Sequence, residues 1–180
     1  MSEPSLPQQD QKHVDAYHRM VERVREALRA GDQGVFPGLR RAIEVAKDRA
    51  VELEELTREE AERTGEYLLR DLREAADYLA ETGGELSTWL QFDLELIGER
   101  IAEHLPLLVD QTRLELARLS EEAQEVGVWE SGEVTVGGTF RCINCGQEVR
   151  LQGPVPIGPC PHCQGTHFRR LAGPETFIPE

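Results

Sequence analysis

Cys142, Cys145, Cys160 and Cys163 are all the cysteines of this 180-residue chain, and they form two C-x-x-C pairs separated by fourteen residues. Four thiolates at this spacing can surround one tetrahedral ion at about 2.3 Å. An all-sulfur set suits zinc, and iron fits the same four sulfurs. With four protein ligands no coordination position is left for water or substrate, so the expected ion is structural rather than a Lewis acid. Metal-free redox thiols are the competing reading of the same pairs.

Each C-x-x-C pair is expected to form a tight turn whose backbone N–H groups point at the first sulfur. Gly146, directly after the first pair, suits the positive φ such a turn needs. The second pair reads C-P-H-C-Q-G, so Gln164 stands where a glycine is usual and Gly165 comes one place late; either the glutamine carries some strain or the turn differs slightly. His162, between the last two cysteines, is expected to point away from the ion. Glu148 to Leu151 reads as an outgoing strand and GPVPIGP as a stiff reversal into the second pair, the topology of a zinc ribbon. Val134, Phe140, Val149 and Phe168 are too few to make a core alone, and a structural zinc contributes roughly 10–16 kcal/mol at neutral pH. Arg141, Arg150, Arg169 and Arg170 are placed to offset the charge of a zinc–tetrathiolate; a small recognition surface is the alternative use for them.

The elements that must carry this site are mostly helical. Residues 1–11 are polar and expected to be a disordered tail. A first helix is expected from about His13 to Arg29, with Tyr17, Val21, Val24 and Leu28 on one face, and the segment from Gly31 to Gly38 breaks it. Leu39, Ile43, Ala46, Ala50 and Leu53 then recur at 4-3-4-3 steps, the seam of coiled-coil-like packing. Thr57-Arg58-Glu59-Glu60 reads as a capping box opening a long helix to about Glu81, with Ala61, Leu68, Leu72, Ala75 and Leu79 as its seam. Glu59–Arg63, Glu66–Arg70 and Arg73–Asp77 are spaced to pair on its surface, at about 0.2–0.5 kcal/mol each. Thr82-Gly83-Gly84 should end it. Leu86, Leu90, Leu94, Ile97, Ile101 and Leu105 mark a fourth helix, interrupted at Pro106, and Leu108, Leu116, Leu119, Ala123 and Val126 continue a stripe to Gly127. From there GVWESGEVTVGGTFRC alternates and is rich in glycine and β-branched residues, as strands are, and Thr166 to Leu171 is a further strand.

Charge is uneven along the chain. The net charge is −14; up to Val126 there are 29 acidic against 16 basic residues, and beyond it five against four. Such a surface repels phosphates over a Debye length of roughly 8–10 Å, which argues against general nucleic-acid or membrane-surface binding. The N-terminus has no apolar h-region and no run of eighteen apolar residues occurs, so neither a signal peptide nor a membrane span is expected. A cytoplasmic location follows as the expectation, and it favours metal over disulfide for the cysteines. No phosphate-binding loop or H-E-x-x-H motif occurs, and the lysines are Lys12 and Lys47 alone. His13, His18 and His104 fall on helices, with no catalytic constellation around them. No catalytic residues are assigned.

Gly127-Val128-Trp129-Glu130-Ser131-Gly132-Glu133, Cys142-Ile143-Asn144-Cys145, Cys160-Pro161-His162-Cys163 and His167-Phe168-Arg169-Arg170 together resemble the bacterial zinc ribbon-containing (YbeL-like) family. The glycine-valine-aromatic-x-serine-glycine-glutamate lead-in carries the specificity, because the cysteine pairs are shared by many ribbons. The resemblance implies a long helical N-terminal region, a C-terminal ribbon and a cytoplasmic zinc-binding protein of unestablished function.

The expected fold is mainly α with a small β unit: an acidic, antiparallel helical bundle or coiled-coil-like region over 12–126, a four-cysteine zinc ribbon over 127–173, and a tail over 174–180. The expected function is that of a non-enzymatic adaptor or regulator holding one Zn2+ per chain and contacting a protein partner. Self-association through the helices is left open. Two alternatives stand beside it. One is a transcription-associated factor contacting RNA polymerase through the glutamates at 52, 54, 55, 59, 60 and 62. The other is rubredoxin-like electron transfer through iron.

Overall fold

The computed structural model describes residues 8–30, 38–82, 104, 106–109, 112–117 and 127–171. Its elements are α1 (Gln8–Ala30), α2 (Leu39–Glu52), α3 (Arg58–Thr82), β1 (Val128–Glu130), β2 (Val134–Cys142), β3 (Glu148–Pro156) and β4 (His167–Arg170). Residue 104 and the pieces 106–109 and 112–117 are also helical. The helix expected over Leu86 to Ile101 and the residues Gly83, Gly84, Leu105, Leu119, Ala123 and Val126 lie outside the described residues.

The helices form because their apolar residues recur at the helical period and meet one another. Tyr17, Val21, Val24 and Leu28 of α1, Leu39, Ile43 and Ala46 of α2, and Leu68, Leu72 and Ala75 of α3 share one buried cluster, joined by Leu108 and Leu116. Ala16, Ala50, Leu56 and Ala61 make a smaller cluster where α2 turns into α3. Asp48 meets Arg58 at 2.7 Å and Lys47 binds Glu62, so α2 and α3 run in opposite directions. Lys12 meets Glu60 at 2.9 Å and Tyr17 meets Asp71 at 2.6 Å, so α1 and α3 run the same way. Two expectations are corrected. Residues 8–11 belong to α1 rather than to a tail, because the helix continues a full turn beyond its apolar face. Leu53 leaves the seam: it is the C-cap of α2 and 46% exposed.

The starts of α3 and α2 are capped, one locally and one from afar. Thr57 N–H donates to Glu60 Oε2 at 2.8 Å, and Glu60 N–H donates to Thr57 Oγ1 at 3.2 Å, the reciprocal pair of a capping box. At α2 no side chain of its own caps the helix; Glu115 instead accepts from the N–H of Leu39 at 2.5 Å and of Arg40 at 3.2 Å. The Thr57 N–H, with Lys12, holds the Glu60 carboxyl down at about 2. A carboxylate lowered on folding stabilises above its unfolded value and loses that contribution as pH falls through the folded one. We therefore expect the helices to lose stability between about pH 4.5 and pH 2, by an amount of order 1 kcal/mol for a lost cap. Glu60→Gln should flatten this part of an acid titration followed by far-UV circular dichroism, and an unchanged slope would discount the cap.

The four strands form one antiparallel sheet in the order β1-β4-β2-β3. Here β3 is longer than expected. GPVP is not part of a reversal but its second half, with Val155 opposite Thr135 and Pro156 opposite Val134, beyond a register shift between Thr135 and Gly137. The reversal is confined to the residues just after Pro156. Val134 is also reassigned. With Val136 it belongs to the helical cluster, while the sheet's own cluster is Trp129, Phe140, Cys142, Ile157, Cys160 and Phe168. The β unit is thus seated on the helices rather than set beside them.

Candidate metal centre

The two C-x-x-C pairs fold into matching turns at one end of the sheet. In the first, Gly146 N–H donates to Cys142 O and Cys142 N–H to Gln147 O, each at 2.9 Å. In the second, Gln164 N–H donates to Cys160 O and Cys160 N–H to Gly165 O, again at 2.9 Å. Both turns need a left-handed residue at the same place. Gly146 supplies it at φ +75°, and Gln164 takes it at φ +59°, so the second turn is not a different one. A side chain there costs of order 1 kcal/mol that glycine avoids, partly offset by glycine's greater freedom when unfolded. Gln164→Gly is accordingly expected to stabilise the protein by about 0.5–1 kcal/mol, read as a Tm higher by a few degrees; a lower Tm would show that the 3.2 Å bond from Gln164 Nε2 to Cys160 O matters more.

The four sulfurs converge. Cys142 and Cys163 Sγ are 3.6 Å apart, as are Cys145 and Cys160 Sγ, and all four lie within 4.8 Å of one another. A disulfide requires about 2.05 Å, and the cysteines are free. A tetrahedron of sulfurs at about 2.3 Å from an ion has edges of roughly 3.8 Å, so the cluster is positioned to bind a metal. Cys142 and Cys160, the first of each pair, are buried on the sheet's aromatic cluster, and Cys145 and Cys163 face outward. His162 is exposed and stands outside the cluster.

Thiol acidity fits this donor set. Burial raises Cys160, but the N–H groups of Cys163 and His162 and the neighbouring thiols outweigh it and bring it down to about 7. Cys163 is pushed up to about 12: the Gly165 N–H lowers it, and the crowding sulfurs of Cys145, Cys142 and Cys160 more than reverse that. Crowded sulfurs cannot all ionise alone; a divalent cation among them removes the obstacle.

The four arginines divide. Arg141 pairs with Glu148 at 2.9 Å, and Arg150 and Arg169 are exposed. Arg170 is drawn into a buried ion pair instead. It is 8% exposed and turned toward α3, where it binds Asp71, lies 2.6 Å from Glu74 Oε2 and donates to Gly137 O and Thr135 Oγ1. Gly138 leaves it room, since a Cβ there would lie 2.9 Å from the guanidinium. Asp71 is fully buried and also accepts from Tyr17 OH at 2.6 Å and from Thr135 Oγ1 and Val136 N–H at 2.9 Å. Trp129 donates to Glu74 at 2.9 Å, and Arg70 lies 4.3 Å over its ring while pairing with Glu133. The Glu66–Arg70 surface pair gives way to this contact. Sequence reasoning had no role for Asp71, although a signal existed: it comes three residues after Leu68 and four before Ala75, on the apolar stripe.

No helix among the described residues is long and apolar enough to cross a membrane. No solved structure matches the chain significantly. The protein called "Uncharacterized protein YbeL" in Escherichia coli K12, and its counterparts in the O6:H1 and O157:H7 strains, are 29% identical to it over 159 residues, covering 88% of this chain and 96% of theirs. The family model described as a zinc-ribbon containing domain matches residues 9–172, the helices as well as the cysteine turns. The chain therefore belongs to this zinc-ribbon family.

Proposed function

We propose that the protein is a non-enzymatic adaptor or regulator of the cytoplasm, in which Cys142, Cys145, Cys160 and Cys163 hold one structural zinc and the acidic helices contact a protein partner. The observation that carries this reading is the convergence of all four sulfurs within 4.8 Å. Four protein ligands fill a tetrahedral zinc and leave no position for a substrate. Zinc supplies the cross-link that so small a β unit lacks, and the helices, packed as an acidic bundle with coiled-coil character, supply the surface.

The polymerase-contacting alternative draws on the glutamates around the joint of α2 and α3. Glu55 pairs with Arg19 and Arg23, Glu60 with Lys12, Glu62 with Lys47, Glu59 with Arg63 and Glu52 with Arg49. A charge run so largely neutralised within the chain gives little reason to prefer that partner.

Metal content and an optical spectrum on anaerobically purified protein test the metal half of the reading. One colourless zinc per chain is the expected result. A red protein with one iron that bleaches reversibly on reduction would replace the adaptor with electron transfer.

A further inference from the structure

Arg170 is the last residue of β4, and β4 is the strand that leaves the second cysteine turn; Cys163 and Arg170 are seven residues apart. At one end β4 is tied to the first turn as well, through the bond from Ile143 N–H to His167 O at 3.0 Å and the pairing of Phe168 with Cys142. At the other end Phe140 pairs with Arg170, whose guanidinium is enclosed by Asp71 and Glu74 of α3. One short strand therefore joins the sulfur cluster to the buried charges of the helices.

We propose that Arg170 is a positioning residue for the metal centre, a latch through which metal binding and the seating of the sheet on α3 are reciprocally linked. This rests on the reading of the cysteine cluster as a metal centre. When the ion leaves, the two turns lose the cross-link that aligns β4, and the sheet's small aromatic cluster does not hold the strand alone. The Arg170 guanidinium then leaves Asp71 and Glu74. A carboxylate without its cation is not tolerated in a buried site, so the junction opens to water rather than persisting half-filled. Trp129, Val134 and Val136 are uncovered with it. Linkage makes the effect symmetrical: whatever factor the metal adds to docking, docking adds to metal affinity, typically about 5- to 150-fold in coupled sites.

The test uses the full-length zinc-loaded protein in chelator competition. Arg170→Met should release zinc at least about tenfold more readily, by the size of coupling such sites show. Arg113→Met, which removes the same charge from an exposed helical position outside the sheet, should leave zinc retention within about twofold of the parent. Equal zinc retention in the two variants would overturn the proposal. A second arm does not depend on Arg170→Met folding. In a Trp89→Phe background Trp129 is the remaining indole, and zinc removal should shift its emission to the red and speed exchange of the Val136 amide while helical circular dichroism persists. Unchanged emission and unchanged amide protection after zinc removal would overturn the latch. A wild-type protein that neither contains nor takes up zinc would instead sink the metal-centre reading, and this inference with it.

Discussion

Cys160→Ser is expected to abolish stoichiometric metal binding and to unfold the cysteine end of the sheet, while α1, α2 and α3 stay helical. Cys160 is fully buried against Trp129, Phe140, Ile157 and Phe168, so its sulfur cannot be replaced by water from outside. Against that burial, the N–H groups of its own turn and the neighbouring thiols bring the Cys160 thiol down to about 7. A serine hydroxyl in that place is a hard, protonated and poor ligand for zinc. Structural zinc of this kind contributes roughly 10–16 kcal/mol of apparent folding free energy, comparable to the whole margin of a typical domain. The helical cluster contains no cysteine, and the packing among α1, α2 and α3 within it does not depend on the sulfurs. Elemental analysis and amide exchange over 142–168 provide the check. Full zinc stoichiometry in Cys160→Ser would mean that the cluster is not the binding site.

Asp71→Ala should cost about 3–5 kcal/mol, the largest loss expected from any single change away from the sulfurs. Burial pushes the Asp71 carboxyl up, against the pull of Arg170, Tyr17, Val136 and Thr135, and its removal takes one shared acceptor from all four. Arg170 keeps Glu74, but Tyr17 OH and Val136 N–H are left inside without that acceptor. The two members of a buried ion pair are coupled, so removing both should cost less than the sum of the single losses. Arg170→Met combined with Asp71→Leu is expected to recover a substantial part of the loss, since apolar replacements of such a pair are often close to neutral. Denaturant unfolding of the single and double variants of zinc-loaded protein gives the cycle. Strict additivity would show that the pair is not the unit holding sheet to helix.

Features that depend on near neighbours were legible along the chain. The cysteine turns are local: a few residues, one left-handed position and a handful of backbone bonds make each of them, so spacing located Cys142, Cys145, Cys160 and Cys163, and marked Gln164 as standing in a glycine's place. The capping box at Thr57 and the stripes of α1 to α3 could be read for the same reason, since i to i+3 and i to i+4 relations are written along the chain. How the β unit is seated is a different matter, and it emerges only on folding. Asp71 and Arg170 are 99 positions apart, and nothing near either one specifies the other. Val134 and Val136 read as strand residues and are, but the choice of helical core over sheet core depends on which face β2 turns to α3 after its register shift. GPVP pairs as a strand against its local turn signals because β2 offers it a partner. A buried charge is tolerated only where its counter-ion and donors are brought by long-range folding, and that arrangement exists only in three dimensions.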